Sequence, residues 1–249
     1  MSAKLRVAVV GLGVGKGHLE AYAEIPDFFE VKAVCDLNAD KARSTAVEFG
    51  VAWHTTSLAD LLSSAEVDMI DLCTPPNTHR GLIEQALAAG KHVVCEKPLV
   101  GSLLDVDAVA AALRGSTGQL FPIFQYRFGN GLQRLKHLQA KGLARHALIT
   151  TMETHWRRDS DYYAIPWRGK WATEMGGVCL TQACHGDIDT EDAAMTKEIG
   201  NGLGNPENRH VIDGVDQPNA TCGHRSFGRV AMAARSHTHA VARLRQRGF

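Results

Sequence analysis

The stretch Leu5-Arg-Val-Ala-Val-Val-Gly-Leu-Gly-Val-Gly-Lys-Gly-His18 decides the fold of this 249-residue chain. Its first six residues form a largely apolar run rich in valine, which is typical of a strand buried on both faces. The glycines that follow allow the backbone to turn sharply and to approach a ligand without a Cβ in the way. The next residues are predicted to begin a helix, whose unpaired N–H groups favour binding of a phosphate.

Strand and helix patterns alternate from Leu5 to about Phe124. After the first strand the predicted elements are, in chain order, helix Gly17–Glu24, strand Val31–Cys35, helix Ala39–Phe49, helix Leu58–Ser63, strand Val67–Cys73, helix His79–Ala89, strand His92–Cys95, helix Leu103–Leu113 and strand Leu120–Phe124. This alternation predicts an α/β fold, a doubly wound parallel sheet of the Rossmann type with helices on both faces. Ligands of such sheets bind beyond the carboxyl ends of the strands, where Gly11, Asp36, Thr74 and Lys97 lie.

An acidic residue, Asp36, ends the second predicted strand. A carboxylate at this place accepts hydrogen bonds from an adenosine ribose and repels a 2′-phosphate. The predicted cofactor is therefore NAD, with NADP as the alternative. The residues predicted to bind it here are Gly11, Gly13, Val14, Gly15 and Asp36. A turn or helix-capping residue is the alternative interpretation of Asp36.

Two other classes of nucleotide-binding protein have similar glycines. A P-loop requires G-x-x-x-x-G-K-[ST], and the residues Val10 and Gly17 exclude it. A methyltransferase that binds S-adenosylmethionine also has G-x-G-x-G after its first strand. Such enzymes usually have an acidic residue two positions before the first glycine, where this chain has Val9. The glycine turn alone leaves the methyltransferase open, and the motifs further along the chain decide against it.

Two later motifs complete a pattern. The sequence Glu96-Lys97-Pro98 follows the predicted strand His92–Cys95, and Thr74-Pro75-Pro76-Asn77-Thr78-His79 follows the strand before it. Together with the glycine turn, in this order, the motifs resemble those of the Gfo/Idh/MocA (glucose–fructose oxidoreductase and inositol dehydrogenase) family. The resemblance covers about Leu5 to His185.

The resemblance implies an NAD(P)-dependent oxidoreductase. Its reaction would transfer a hydride between the nicotinamide and a secondary alcohol or ketone of a sugar, cyclitol or similar polyol. The lysine of the Glu-Lys-Pro motif, Lys97, would exchange the hydroxyl proton, with a cis peptide before Pro98. Burial beside a cationic nicotinamide ring is expected to depress the pKa of Lys97. The family places Thr74, Pro75, His79, Glu96 and Lys97 itself at the cofactor.

The family also supplies a histidine from a helix of its second domain, and His185 is the matching residue. Family members often have an aspartate four residues earlier, one helical turn away, where this chain has Thr181. His185 is predicted to assist Lys97 in catalysis, the alternative being an ordinary polar helix residue. The predicted substrate-binding residues are Tyr126, Arg127, Trp167, Arg168 and Thr181, for which loop packing is the alternative.

The chain changes character after Phe124, which predicts three parts. Residues 1–124 form the NAD(P)-binding domain, residues 125–189 a partial α+β substrate domain, and residues 190–249 a divergent, poorly ordered tail. The middle part is predicted to contain a helix at Gly131–Ala140, a strand at Ala147–Trp156, a loop at Arg157–Trp171 and a helix from Gly176.

The predicted tail lacks strand alternation. The hypothesis is that this C-terminal stretch is truncated or out of register with the ancestral coding sequence. The family forms homo-oligomers through its second domain, so that interface would be incomplete here. A non-catalytic NAD(P)-binding or regulatory protein is therefore the second functional hypothesis.

Composition limits the other partners. The formal net charge is zero, so no overall field favours nucleic acid, and no apolar run reaches the ~18 residues of a membrane helix. The first residues lack a secretory signal pattern, and the predicted location is the cytoplasm. None of the six cysteines forms a C-x-x-C pair, so no metal site is predicted. Cys35, Cys73 and Cys95 are predicted to be buried reduced thiols.

Overall fold

The computed structural model of the protein describes residues 4–143 and 157–175. Six parallel strands form one sheet with the order β3-β2-β1-β4-β5-β6. The strands are β1 Leu5–Val10, β2 Phe29–Cys35, β3 Trp53–Thr55, β4 Met69–Leu72, β5 His92–Cys95 and β6 Leu120–Pro122. The strand order reverses beside β1, because β1 pairs with β2 on one side and with β4 on the other. This confirms the predicted doubly wound parallel sheet, in which such a reversal opens a crevice for ligands.

Helices cover both faces of the sheet. The helices between the strands are α1 Gly15–Ala23, α2 Ala39–Phe49, α3 Leu58–Ser63, α4 Pro76–Ala88 and α5 Leu103–Arg114. After β6 come a 3₁₀ turn at Gln125–Phe128 and the helices α6 Asn130–Ala140, α7 Ser160–Ala164 and α8 Trp171–Glu174. Three of the helices between the strands begin at side-chain caps, since Asn38, Ser57 and Ser102 each accept a hydrogen bond from a backbone N–H of the first turn. Helix α2 ends at Gly50, which has the left-handed conformation that glycine adopts most easily.

The two faces of the sheet bury separate apolar clusters. Along β1, Val7 and Val9 contribute to one cluster, and Ala8 and Val10 contribute to the other. All four are buried, as expected for a central strand covered on both sides. Cys35, Cys73 and Cys95 are buried free thiols, as predicted for these three cysteines. This packing holds the carboxyl ends of β1, β2, β4 and β5 in fixed positions at one edge of the sheet.

The structure contains elements that the sequence did not predict. Strand β3 was not predicted, because it has only three residues and pairs only with β2. The segment predicted as the loop Arg157–Trp171 contains α7. The N-cap residue of this helix is Asp159, whose carboxylate accepts a hydrogen bond from the backbone N–H of Tyr162.

Other predictions concern residues that the structure does not describe. The predicted strand Ala147–Trp156 and the helix from Gly176 lie outside the described residues, as does the tail 190–249. The division into three parts therefore stays a prediction. Within the described part of the chain, none of the helices combines the length and the apolar character needed to cross a membrane.

Candidate functional site

A cleft of about 500 Å³ opens at the carboxyl ends of β1, β2, β4 and β5. Its lining combines the glycine turn, the two later motifs and one segment of the second part of the chain. The lining residues are Gly11, Leu12, Gly13, Val14, Asp36, Lys41, Cys73, Thr74, Pro75, Pro76, Glu96, Lys97, Ile165, Trp167 and Arg168. The cleft therefore brings together most of the residues that the sequence predicts for cofactor and substrate.

The glycines of the turn differ in the space that surrounds them. Gly11 has a φ of +92°, and a Cβ there would lie 2.6 Å from the carbonyl oxygen of Cys73, so any side chain would push the β1 and β4 turns apart. A Cβ on Gly15 would lie 3.0 Å from Val9 Cγ1, so this glycine allows α1 to pack onto β1. A Cβ on Gly13 would meet no atom within 4 Å apart from its chain neighbours. Nothing in the fold requires glycine at position 13, which faces the cleft.

The start of α1 suits an anion. Its N-cap residue, Val14, provides no side-chain hydrogen bond, so the N–H groups of the first turn have no side-chain cap. These N–H groups and the helix dipole favour a pyrophosphate at this point. The cradle of bare backbone at Gly13 and the uncapped helix together fit the diphosphate of a dinucleotide.

Asp36 connects the glycine turn to α2. Its carboxylate accepts hydrogen bonds from the N–H of Leu12 at 3.0 Å and of Asn38 at 3.0 Å, and it forms an ion pair with Lys41 Nζ at 2.9 Å. Burial acts to raise the pKa of Asp36, but the hydrogen bonds from Lys41, Asn38 and Leu12 outweigh it and leave the pKa below its usual value. The residue is therefore a carboxylate at neutral pH. The helix cap itself is Asn38, not Asp36.

His79, which is predicted to bind the cofactor, is a buried residue in the structure. Its ring is buried beneath the cleft, with Nδ1 2.9 Å from the carbonyl oxygen of Pro98 and Nε2 2.9 Å from that of Thr74. Both ring nitrogens are engaged by backbone, so the ring holds the β4 and β5 turns together. Direct contact of His79 with the cofactor therefore stays a prediction, and in the described structure the residue supports the loops that line the cleft. Thr74 and Pro75, by contrast, line the cleft themselves.

Lys97 stands at the end of β5 and lines the cleft together with the glycine turn. The peptide bond between Lys97 and Pro98 is cis, as the resemblance implied. Burial lowers the pKa of Lys97, the neighbouring Glu96 carboxylate opposes this, and the guanidinium groups of Arg168 and Arg158 add to it. The net effect leaves the pKa below the usual value for lysine, so the neutral amine is easier to reach than on a surface lysine.

The far wall of the cleft comes from the α7–α8 segment. The guanidinium of Arg168 stacks over the ring of Trp167 at 3.9 Å and that of Tyr162 at 4.3 Å. Glu174, which is 1% exposed, pairs with Arg168 at 3.2 Å and accepts a hydrogen bond from the N–H of Gly169. Stacking and pairing fix Arg168 in the lining of the cleft, close enough to Lys97 for its charge to act on the amine.

The remaining predicted site residues are placed as follows. Tyr126 lies in the 3₁₀ turn after β6 and is not among the residues that line the cleft. Arg127 belongs to the same turn. Thr181 and His185 lie outside the described residues, so their predicted roles stay predictions.

Sequence reasoning missed several residues of the site. It gave no role to Lys41, whose charge lies beside Asp36, or to Glu174, which positions Arg168. It also gave no role to His18 and Asp71, which are buried behind the glycine turn. For His18 a signal existed, because a histidine is an unusual residue for the apolar face of a helix that covers a sheet.

His18, Asp71 and Cys73 place potential metal-ligand atoms within 4.8 Å of one another. In the described structure, hydrogen bonds among these atoms account for the arrangement, with His18 Nδ1 2.8 Å from Asp71 Oδ2 and 3.3 Å from Cys73 Sγ. The absence of a metal site stays a prediction.

Comparison with known proteins agrees with this geometry. Residues 5–124 match the GFO_IDH_MocA family, described as an oxidoreductase family with an NAD-binding Rossmann fold. Over these residues the chain belongs to the Gfo/Idh/MocA oxidoreductase family. This confirms the family resemblance and the NAD-binding Rossmann domain.

The similarity to individual proteins extends over more of the chain. The chain is 30% identical over 202 residues to an uncharacterized oxidoreductase, YrbE, of Bacillus subtilis, covering 80% of this chain and 56% of that protein. It is 29% identical over 198 residues to a myo-inositol 2-dehydrogenase of Thermotoga maritima, covering 78% of this chain and 56% of that protein. The WlbA dehydrogenase of Bordetella pertussis, solved in complex with NADH and UDP-GlcNAcA, has a TM-score of 0.72 at 30% identity, covering 78% and 56%. The chain thus spans about half the length of these relatives.

Proposed function

We propose that this protein is an NAD-dependent dehydrogenase that acts on a secondary alcohol or ketone of a sugar, cyclitol or similar polyol. The observation that carries the proposal is that Lys97 and the bare turn at Gly13 line the same cleft. A nicotinamide dinucleotide whose diphosphate lies on the turn can extend toward β5. The relatives named above, one of them a myo-inositol dehydrogenase, support the substrate class.

The residues of the chain divide the binding of the cofactor between them. Gly11 and Gly13 would receive the diphosphate at the start of α1, and Asp36 would receive the adenosine ribose. Thr74, Pro75 and Glu96 would line the nicotinamide half. When bound, NAD supplies the hydride acceptor for alcohol oxidation, and NADH the hydride donor for ketone reduction.

Lys97 would handle the proton. In alcohol oxidation its neutral amine accepts the hydroxyl proton at Nζ, and in ketone reduction its ammonium returns a proton to the oxygen. The lowered pKa of Lys97 suits both directions, because both protonation states are then accessible nearer to neutral pH. Trp167 and Arg168 would orient the substrate from the far wall, with Tyr126, Arg127 and Thr181 as further candidates. His185 would assist as a proton-relay partner.

The test begins with binding and continues with turnover. NADH, NADPH and S-adenosylmethionine are titrated separately against the protein, with nicotinamide fluorescence and calorimetry as readouts. Oxidation is then measured with NAD across a panel of inositols, aldoses and sugar acids. NADH binding with turnover of at least one polyol supports the proposal, whereas failure to bind NADH contradicts it. Binding without turnover across the panel would favour the non-catalytic hypothesis.

The pH dependence of oxidation follows from Lys97. Because the neutral amine is the base, the rate of alcohol oxidation should rise with pH and level off above the pKa of Lys97, which lies below the usual value for lysine. The kcat for oxidation of a polyol substrate, measured from pH 6 to 10, checks this. A rate that is flat over this range would contradict the assignment of Lys97 as the base.

The preference for NAD over NADP should depend on Asp36 and Lys41 together. Replacing Asp36 with alanine removes the charge that repels a 2′-phosphate and frees Lys41 from its 2.9 Å ion pair. We expect the ratio of the NADPH and NADH dissociation constants to shift toward NADPH by about 10- to 100-fold, the effect of one or two charge-assisted contacts. The double variant Asp36→Ala with Lys41→Met should lose most of this gain. Equal binding of both cofactors by the parent protein would contradict the NAD preference.

A further inference from the structure

A cluster of buried polar side chains lies directly behind the glycine turn. His18, in α1, is 1% exposed, and its two ring nitrogens face two different carboxyl groups. Nδ1 lies 2.8 Å from Asp71 Oδ2, and Nε2 lies 3.1 Å from Glu96 Oε1. A neutral imidazole has one N–H, whereas the imidazolium has two and can donate to both carboxylates. The geometry is that of a cation held between two acids.

The groups around His18 agree with this charge state. Burial acts to lower the pKa of His18, but the charge of Asp71 and the hydrogen bonds to Asp71 and Cys73 outweigh it and hold the pKa well above its usual value. Burial and the charge of Asp71 raise the pKa of Cys73 to about 12, so its thiol is neutral at physiological pH. The hydroxyl of Tyr22 donates to Asp71 Oδ2 at 3.0 Å. Among the described residues, Asp71, Glu96, Cys73 and Tyr22 are the titratable groups that face the ring.

Glu96 carries this arrangement to the cleft. One of its oxygens faces His18, and the other accepts a hydrogen bond from the backbone N–H of Lys97 at 3.0 Å. The carboxylate is therefore fixed at both ends, next to the amine that the proposed reaction uses. The described charged groups that act on Lys97 are Glu96, Arg158, Arg168 and Glu174, and Glu96 is the strongest of them. A positive charge on the other side of Glu96 offsets part of its effect on Lys97.

We propose that His18 is a positioning residue of the reaction centre, a buried imidazolium that holds Glu96 in place and offsets its charge at Lys97. This inference rests on the proposed function of Lys97. It assigns a role to a residue of the glycine motif that does not line the cleft and would not touch the cofactor. Loss of the His18 charge should leave Glu96 more strongly attractive to the Lys97 ammonium.

The variant His18→Gln keeps a hydrogen-bonding side chain but removes the charge. The protein is reductively methylated with ¹³C-formaldehyde, and the dimethyl-lysine signal of Lys97 is assigned by its loss in Lys97→Met. We expect the titration midpoint of Lys97 to move to higher pH by about one pH unit, the size of effect expected for one charge removed nearby in partly buried surroundings. An unchanged midpoint, or a shift to lower pH, would overturn the proposal.

Tyr22→Phe is the matched control. It removes a hydrogen bond of the same buried cluster on the far side of Asp71, so the midpoint of Lys97 should stay in place. A shift equal to that of His18→Gln would mean that any disturbance of the cluster moves Lys97, and the specific role of His18 would fail. In the Glu96→Gln background, His18→Gln should move the midpoint less, because the part of the effect that comes from positioning Glu96 is then absent.

A second measurement does not depend on the variants being folded. ¹⁵N chemical shifts of His18 in the parent protein at pH 7.5 should show both ring nitrogens protonated, and a neutral tautomer would overturn the proposal. Neither experiment needs turnover. If the midpoint of Lys97 shifts while no polyol is oxidised, the inference stands and the proposed function fails. If oxidation occurs with an unmoved pH profile in His18→Gln, the proposed function stands and the inference fails.

Discussion

Replacing Lys97 with methionine should lower kcat for polyol oxidation by about 10²- to 10⁴-fold, the contribution that general acid–base catalysis makes in enzymes. Methionine keeps the length and apolar stem of the side chain but cannot accept or donate the proton. The proposed diphosphate and adenosine contacts are at Gly13 and Asp36, which follow β1 and β2, whereas Lys97 follows β5. The dissociation constant of NADH should therefore change by no more than about threefold, ~0.7 kcal/mol. Steady-state kinetics and NADH fluorescence titration measure the two quantities.

Two controls separate a chemical role of Lys97 from a structural one. Lys97→Arg retains the positive charge but cannot be deprotonated, so it should be nearly as inactive as the methionine variant. Lys32→Met removes a lysine that pairs with Glu30 on β2, away from the cleft, and should leave kcat unchanged. Substantial activity in Lys97→Arg would show that a fixed charge is enough and that Lys97 does not transfer the proton.

The sheet could be predicted from sequence because its signals are local. Each of the longer strands is a short apolar run, and several of the crossover helices have their own cap or stop, such as Ser102 or Gly50. β3 has only three residues, too few to show a period, and it forms only because β2 offers an unpaired edge. The cofactor residues could be predicted for the same reason, since position at a strand end is enough to place Asp36 and Lys97 at the cleft.

What could not be predicted depends on long-range contacts. The position of His79 relative to the strand end suits a cofactor contact, but the direction of its ring is set by the carbonyls of Thr74 and Pro98, which meet only in the folded protein. His18 is separated by 53 residues from Asp71 and by 78 from Glu96, so no motif records their pairing. Glu174 lies close in sequence to Arg168, but the buried pairing of the two depends on how α7 and α8 turn back on each other.

The second large effect is expected at Gly13. Gly13→Ala should weaken NADH binding by about 10- to 100-fold, the loss of roughly one hydrogen bond to a charged group, at about 1.5–3 kcal/mol. A methyl group at this position points into open space in the protein alone, so the midpoint of thermal unfolding should stay within about 2 °C. Only a ligand lying against the turn makes the methyl group harmful.

Two neighbouring glycines make this prediction specific. Gly17 is equally open, since a Cβ there would meet no atom within 4 Å, but it lies in α1 and does not line the cleft. Gly17→Ala should therefore keep NADH affinity and raise stability by about 0.5–1 kcal/mol through helix propensity. Gly11→Ala should lower stability as well as affinity, because its Cβ would lie 2.6 Å from the Cys73 carbonyl oxygen. Calorimetric titration and thermal unfolding of the three variants give three different pairs of results. Unchanged NADH affinity in Gly13→Ala would mean that the diphosphate lies elsewhere, since the bare backbone at this position has no other use in the fold.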